Sequence, residues 1–270
     1  MKKNEITVII PIHEITDITK NLLTNAIKSV GQQIVRPDEL LFVIPIDKTD
    51  VEAAINDSIK ETMALLTPDQ TLVYRIIYNT SETDFCSQMN FGVDSVTTKY
   101  FSFLEIDDEY SKIWLKNAVE YITAYPEVGV FLPLIVDVTA EGAFIGFTNE
   151  TVWANQFSDE LGFLDLNSLL TYQNFNIDGM VMNTETYKEL GGLKSKIQLT
   201  FIYEFLLRLA HNDIKIMTLP KFGYKHINQR EGSLFYDYKN TLTPDESKWW
   251  LAQAKKEYYF DYDRAITYDK

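Results

Sequence analysis

The chain has 270 residues, 46% of them hydrophobic, enough to bury a large core as one domain or two small ones. Its formal charge of −14 argues against a broad nucleic-acid surface, which would be basic, and against docking on anionic lipid. A local basic pocket for a phosphate remains compatible with that charge. One cysteine, Cys86, excludes an intrachain disulfide and fits a reducing compartment. The Met-Lys-Lys start leads into an apolar run, 6–12, too short for a secretory core, and no run reaches the ~18 apolar residues of a membrane span. The expectation is a soluble, cytoplasmic protein without a transmembrane segment.

In chain order, the β-branched run 6–12 reads as a strand and 19–30 as an amphipathic helix. Strand 40–46, helix 51–66 closed before Pro68, strand 72–78, helix 85–96 and strand 100–104 follow. A helix over 113–125 ends at Pro126, and 129–138 is another apolar strand. Residues 139–178 show no clean period and predict hairpins and a mobile loop. A short helix, 184–190, closes at Gly191-Gly192. Helix 199–211 and a strand over 214–219, stopping at Pro220, precede an aromatic, acidic tail with a helix over 244–260 starting near Thr243. The expected fold class is α/β: a mostly parallel central sheet flanked by helices, a less regular second half and a C-terminal helical extension. The expected division is a domain over 1–233 with an extension over 234–270 packed on it.

In such sheets ligands sit beyond the carboxyl ends of the strands, so the loops after Ile12, Ile46, Tyr78 and Leu104 should line one cleft. The last of these begins Glu105-Ile106-Asp107-Asp108. Two carboxylates two residues apart point the same way on extended backbone and suit Mg2+ or Mn2+. Such an ion would bridge the phosphates of a nucleotide sugar; the same acids would also suit the N-terminus of the next helix. His226 lies in one of the few basic clusters and could complete a metal shell, with Lys225 or Arg230 on a diphosphate. His13 follows the first strand toward the cleft, and Asn90 offers a contact to nucleotide or sugar. Glu204, on helix 199–211, is a candidate general base if that helix starts at the cleft; by spacing it also pairs with Arg208. No P-loop, GxGxxG unit, nucleophile elbow or structural zinc pattern is present.

The order of these segments resembles the family 2 glycosyltransferases of GT-A fold. Thr7-Val8-Ile9-Ile10-Pro11-Ile12-His13-Glu14 looks like the family's first strand and proline turn, and Gln88-Met89-Asn90-Phe91-Gly92 like its Ala-Arg-Asn-x-Gly segment. Phe103-Leu104-Glu105-Ile106-Asp107-Asp108 looks like its metal motif, and Leu190-Gly191-Gly192-Leu193 like the turn before its acceptor-side helix. Phe205-Leu206-Leu207-Arg208-Leu209, followed by Ile214-Lys215-Ile216, matches the next helix and strand.

The resemblance implies inverting transfer from a nucleoside diphosphate sugar, with a UDP-sugar as the leading donor. Pro11, His13 and Glu14 would lie on the donor side, Asp107 and Glu105 at the metal, and His226 near the diphosphate. The acceptor is left open between a glycan, a lipid-linked sugar, a protein and a nucleobase. Three departures stand out. Asp47 must shift to replace the family's base-reading Asp, Glu105 replaces an Asp, and the family's Glu-Asp pair aligns near Phe201-Ile202. Glu204 and Asp178 are the remaining base candidates. The rival readings are a non-catalytic sugar- or partner-binding module and a nucleotidyltransferase, the latter disfavoured by the missing Gly-rich first loop.

Overall fold

The protein is described by a computed structural model covering residues 5–67, 71–80, 82–150, 162–228, 230 and 233–268. Strands β1 (Ile6–Pro11), β2 (Glu39–Pro45), β3 (Tyr74–Asn79) and β4 (Tyr100–Phe103) alternate with helices α1 (Asp17–Gly31), α2 (Thr49–Leu65) and α3 (Phe85–Asp94). The helices begin where short polar side chains satisfy their orphan N–H groups. Thr16 and Thr19 form a reciprocal capping box on α1, and the Asp84 carboxylate accepts from Ser87 N–H on α3. These strands pair in parallel in the order β3-β2-β1-β4.

The second half contains β5 (Glu109–Tyr110), α4 (Trp114–Ala124), β6 (Val130–Val138), β7 (Phe144–Thr148), β8 (Phe163–Leu164), α5 (Leu166–Thr171), β9 (Val181–Asn183) and α6 (Thr184–Glu189). A 3-10 helix (Ser195–Thr200), α7 (Phe201–His211), β10 (Ile216–Ile227), α8 (Leu234–Thr241) and α9 (Pro244–Glu257) complete it. The sheet continues from β4 through β9, β6 and β10 to β5. β9 runs antiparallel to β4 and β6, whereas β10 is parallel to β6, so the second half is mixed.

Alternation along the strands divides the core between the two sheet faces. Val8 and Ile10 pack with α1 and α2, while Ile9 packs with α3 and α7. Trp250, Ala254 and Tyr258, in and just beyond α9, belong to that second cluster and pack beside α7. No helix among the described residues is long and apolar enough to cross a membrane.

Two sequence expectations change. The last strand does not stop at Pro220 but runs to Ile227, because the ladder with β6 shifts register between Thr218 and Phe222. Pro220 falls in that irregularity, where a missing N–H breaks no regular bond. The tail carries α8, a helix the reading lacked; Ser233 caps it by accepting from Tyr236 N–H. The hairpin expected after β6 is present as β7, closed by Thr139 N–H donating to Ala143 O at 2.8 Å. Of the span 139–178, where a mobile loop was also expected, residues 151–161 lie outside the described residues.

Candidate active site

Every residue of β4 is buried, and the strand delivers its chain into the acidic turn at its carboxyl end. Leu104 N–H still bonds Ile9 O at 2.9 Å, so the turn begins from a fixed ladder. Glu105 N–H donates to the Tyr224 hydroxyl at 3.1 Å. Tyr224 in turn meets the edge of Tyr110, whose hydroxyl donates to Phe103 O at 2.9 Å. Gly179 closes this brace. Its φ is +69°, and a Cβ there would sit 2.5 Å from the Tyr224 ring.

The extension of β10 past Pro220 brings His226 to the turn. Its Nδ1 lies 3.1 Å from Asp108 Oδ2, while Asp108 Oδ1 accepts Ile227 N–H at 2.8 Å. Asp178 Oδ2 is 3.9 Å from the same imidazole nitrogen and accepts from Asn176 Nδ2 at 2.5 Å. Ligand-type atoms of Glu105, Asp107 and Asp108 lie within 4.8 Å of one another, and so do those of Asp108, Asp178 and His226. Arg230 Nε contacts Asp107 Oδ2 at 2.5 Å.

Crowding sets the electrostatics. Burial, then the neighbouring Asp178, Asp108 and Asp107 carboxylates, push Glu105 well above the usual carboxylate range. Burial and Asp108 raise Asp107 against the pull of Arg230. Burial lifts Asp178 to about 7, with His226 opposing and Asp108 adding to the rise. Burial alone would lower His226, but Asp108, Asp178 and Glu105 outweigh it and hold the imidazole at about 11.

Three adjoining cavities meet at Phe85. One of about 290 Å³ is lined by Glu105, Asp107 and His226 on one side and Phe201, Ile202 and Phe235 on the other. A second, about 330 Å³, runs from Glu105, Asp107 and Arg230 to Pro11, His13 and Glu14. A third, about 480 Å³, extends from Pro11 and His13 toward Gln88 and Gln198.

The expected residues Glu105, Asp107, His226, Arg230, Pro11, His13 and Glu14 are thus brought together. Four others are not. Asn90 spends its amide on the turn after α6, donating to Leu193 O at 2.8 Å and accepting from Tyr187 and Leu193 N–H. Asp47 sits in a turn beyond β2 with φ +66° and does not line the cavities around the acidic turn. Lys225 points away from His226 by strand alternation and pairs with Glu109 at 2.8 Å. Glu204 is 0% exposed, bonded to Arg208 at 2.8 and 3.0 Å and to Lys194 at 2.9 Å. It is therefore a structural countercharge, and the α7 residues on the cleft are Phe201 and Ile202. Sequence reasoning missed Asp108 and Tyr224. Asp108 stood in view beside its acidic neighbours, but only the strand pairing reveals that it faces His226.

No curated protein shows significant sequence similarity to the chain. Among solved structures, TarS 1-349 from S. aureus in complex with UDP superposes with a TM-score of 0.60 at 14% identity, over 94% of this chain and 71% of that one. The same protein with UDP-GlcNAc gives 0.61 at 16% identity, over 96% and 73%. Mannosyltransferase PcManGT from Pyrobaculum calidifontis, in complex with GDP-Man and Mn2+, gives 0.63 at 14% identity, over 94% and 64%. At these identities the likeness speaks for the fold. The sequence profile described as Glycosyl transferase family 2 matches residues 7–177, spanning β1, the acidic turn and the segment up to Asp178. With that match over more than half the chain, and with the acidic turn where the fold opens its cleft, the chain belongs to glycosyl transferase family 2 and is a glycosyltransferase of GT-A fold.

Proposed function

We propose that the cleft binds a nucleoside diphosphate sugar, a UDP-sugar first, and transfers the sugar with inversion to a hydroxyl acceptor, assisted by Mn2+ or Mg2+. The observation that carries this reading is the pair of clusters that share Asp108, one with Glu105 and Asp107 and one with Asp178 and His226, with three of the carboxyls pushed upward by burial and mutual repulsion. Such crowding is costly without a countercharge, and hard oxygen donors with one imidazole suit either ion. When bound, the ion would offset the charge that builds on the diphosphate as the sugar leaves.

Glu105, Asp107 and His226 line the cavity and would hold the ion. Asp108 engages His226 through Nδ1 and leaves Nε2 for coordination, the arrangement of an orienting carboxylate behind a ligating imidazole. Arg230 lies in the donor-side cavity paired with Asp107, where its positive charge would face a diphosphate. Relatives of this fold in complex with UDP, UDP-GlcNAc, and GDP-Man with Mn2+ support the donor class. With Glu204 locked in ion pairs, α7 brings no base to its cleft-facing turn, and Asp178 is the remaining base candidate of the two.

The test is a panel of UDP- and GDP-sugars with and without Mn2+, followed by thermal shift and by release of free nucleotide. Mn2+-dependent binding and turnover are expected, and Asp107→Ala should abolish the metal-dependent binding. Unchanged donor affinity in that variant would sink the proposal. Binding without any turnover would instead mark a member that has lost the chemistry, the outcome an apolar Phe201-Ile202 wall favours.

A further inference from the structure

Apolar side chains scattered singly over a surface are ordinary, but a connected run of them is not. One such run crosses β7, β10 and the loop before α4. Phe144 and Phe147 of β7 meet at 5.0 Å between ring centroids, and Phe147 meets Phe222 of β10 at 5.7 Å. From Phe222 the backbone leads on to the loop. Ser111 Oγ donates to Phe222 O, Ser111 N–H donates to Gly223 O at 2.9 Å, and Ile34 N–H, just past α1, donates to Lys112 O at 3.1 Å. Ile113 and Ile34 thereby stand beside the three rings.

The five side chains are 61% (Phe144), 37% (Phe147), 51% (Phe222), 43% (Ile113) and 57% (Ile34) exposed, which leaves roughly 450 Å² of apolar surface in water. Phe147 and Lys225 both pair with Val136, so the ridge lies on the sheet face turned away from His226. None of its five residues lines the three cavities at Phe85.

Area and charge select the occupant. A standard interface buries about 800 Å² per partner, a little over half of it apolar, so the ridge supplies the apolar share of one full side. Its rim carries both signs: Lys112, Lys221 and Lys225 with Glu109 and Glu141, of which Lys225 and Glu109 pair at 2.8 Å. A two-fold axis sets a patch against itself, which a mixed rim permits and a rim of one sign opposes. An anionic bilayer would instead favour lysines alone and would repel the chain's charge of −14.

We propose that this ridge is the interface of a symmetric homodimer, in which Phe144, Phe147 and Phe222 of one copy pack on the same ridge of a second copy while both clefts stay open. Sedimentation equilibrium of the whole protein from about 1 to about 200 μM should show a monomer–dimer equilibrium with a dissociation constant in the micromolar range. Hydrogen exchange at the two ends of that range should slow with concentration at 144–148, 220–223 and 111–113 and nowhere else. Phe144→Glu combined with Phe222→Glu should weaken dimerisation by about 100-fold or more with an unchanged circular dichroism spectrum, because both rings already stand in water in the single chain. Phe144→Ser alone, at the ring most open to water, is the milder variant and should weaken it by about tenfold. A monomer throughout the range, a dimer protected elsewhere, or a dimer that both variants leave intact would overturn the proposal. Flotation with phosphatidylcholine–phosphatidylglycerol vesicles, abolished by the same variants, would overturn it in favour of a lipid surface.

Discussion

Asp108 adds no surface to the cleft, yet both of its oxygens are committed to the end of β10 that carries His226. Asp108→Asn should therefore weaken Mn2+ binding by about 10–100-fold, read by calorimetry, with the circular dichroism spectrum unchanged. Proton linkage gives a second expectation. Glu105, Asp107 and Asp178 have raised pKa values, so they hold protons at pH values where ordinary carboxylates have lost them. A metal needs its ligands deprotonated, and His226, held at about 11, must also give up its proton, so Mn2+ affinity should rise with pH between 5.5 and 8 and binding should release protons. Identical affinity at pH 5.5 and 8 would contradict that coupling. Glu204 tests a different role. Glu204→Ala leaves Arg208 and Lys194 buried without their countercharge and should cost about 3–5 kcal/mol in a urea titration. UDP affinity of the folded variant should be unchanged, whereas removal of a general base would lower kcat without this loss of stability.

The elements matter through how they lean on one another. Gly179 allows the loop before β9 to pass against Tyr224, which holds the backbone of Glu105. Gly179→Ala places a Cβ into the Tyr224 ring at φ +69° and should destabilise the fold by more than about 1 kcal/mol, with a matching loss of Mn2+ affinity. Much of this layer was legible in the sequence. The four parallel strands, their helices and the acid-bearing strand end announce themselves by period and by breaker residues. Less legible was β10, where Pro220 read as a stop because a local rule cannot see that a register shift in the partner strand absorbs it. The same blindness left His226 in a loop, hid Asp108 behind it, and made Asn90 and Glu204 look like cleft residues. Their partners, Tyr187, Leu193 and Lys194, are tertiary and carry no sequence period.

At the level of the whole molecule, α9 is part of the core. Trp250 and Ala254 are buried beside α7, and Lys194 Nζ bonds the carbonyls of Glu257 at 2.8 Å and Phe260 at 2.6 Å. A chain ending before Thr243 would expose that apolar surface and leave the ammonium short of partners. It should appear as aggregate or as a poorly cooperative melt in calorimetry. The strand order also separates the molecule in time. β1, β2, β3 and β4 find all their parallel neighbours within the first 103 residues, whereas β6 must wait for β10 and reaches β4 only through β9. Nascent chain leaving a ribosome could thus complete the former group while the latter was still being made. Pulse-labelled hydrogen exchange during refolding should find amides of β1, β2 and β4 protected in an early phase and those of β6 and β10 in a later one, so that His226 is the last piece to arrive.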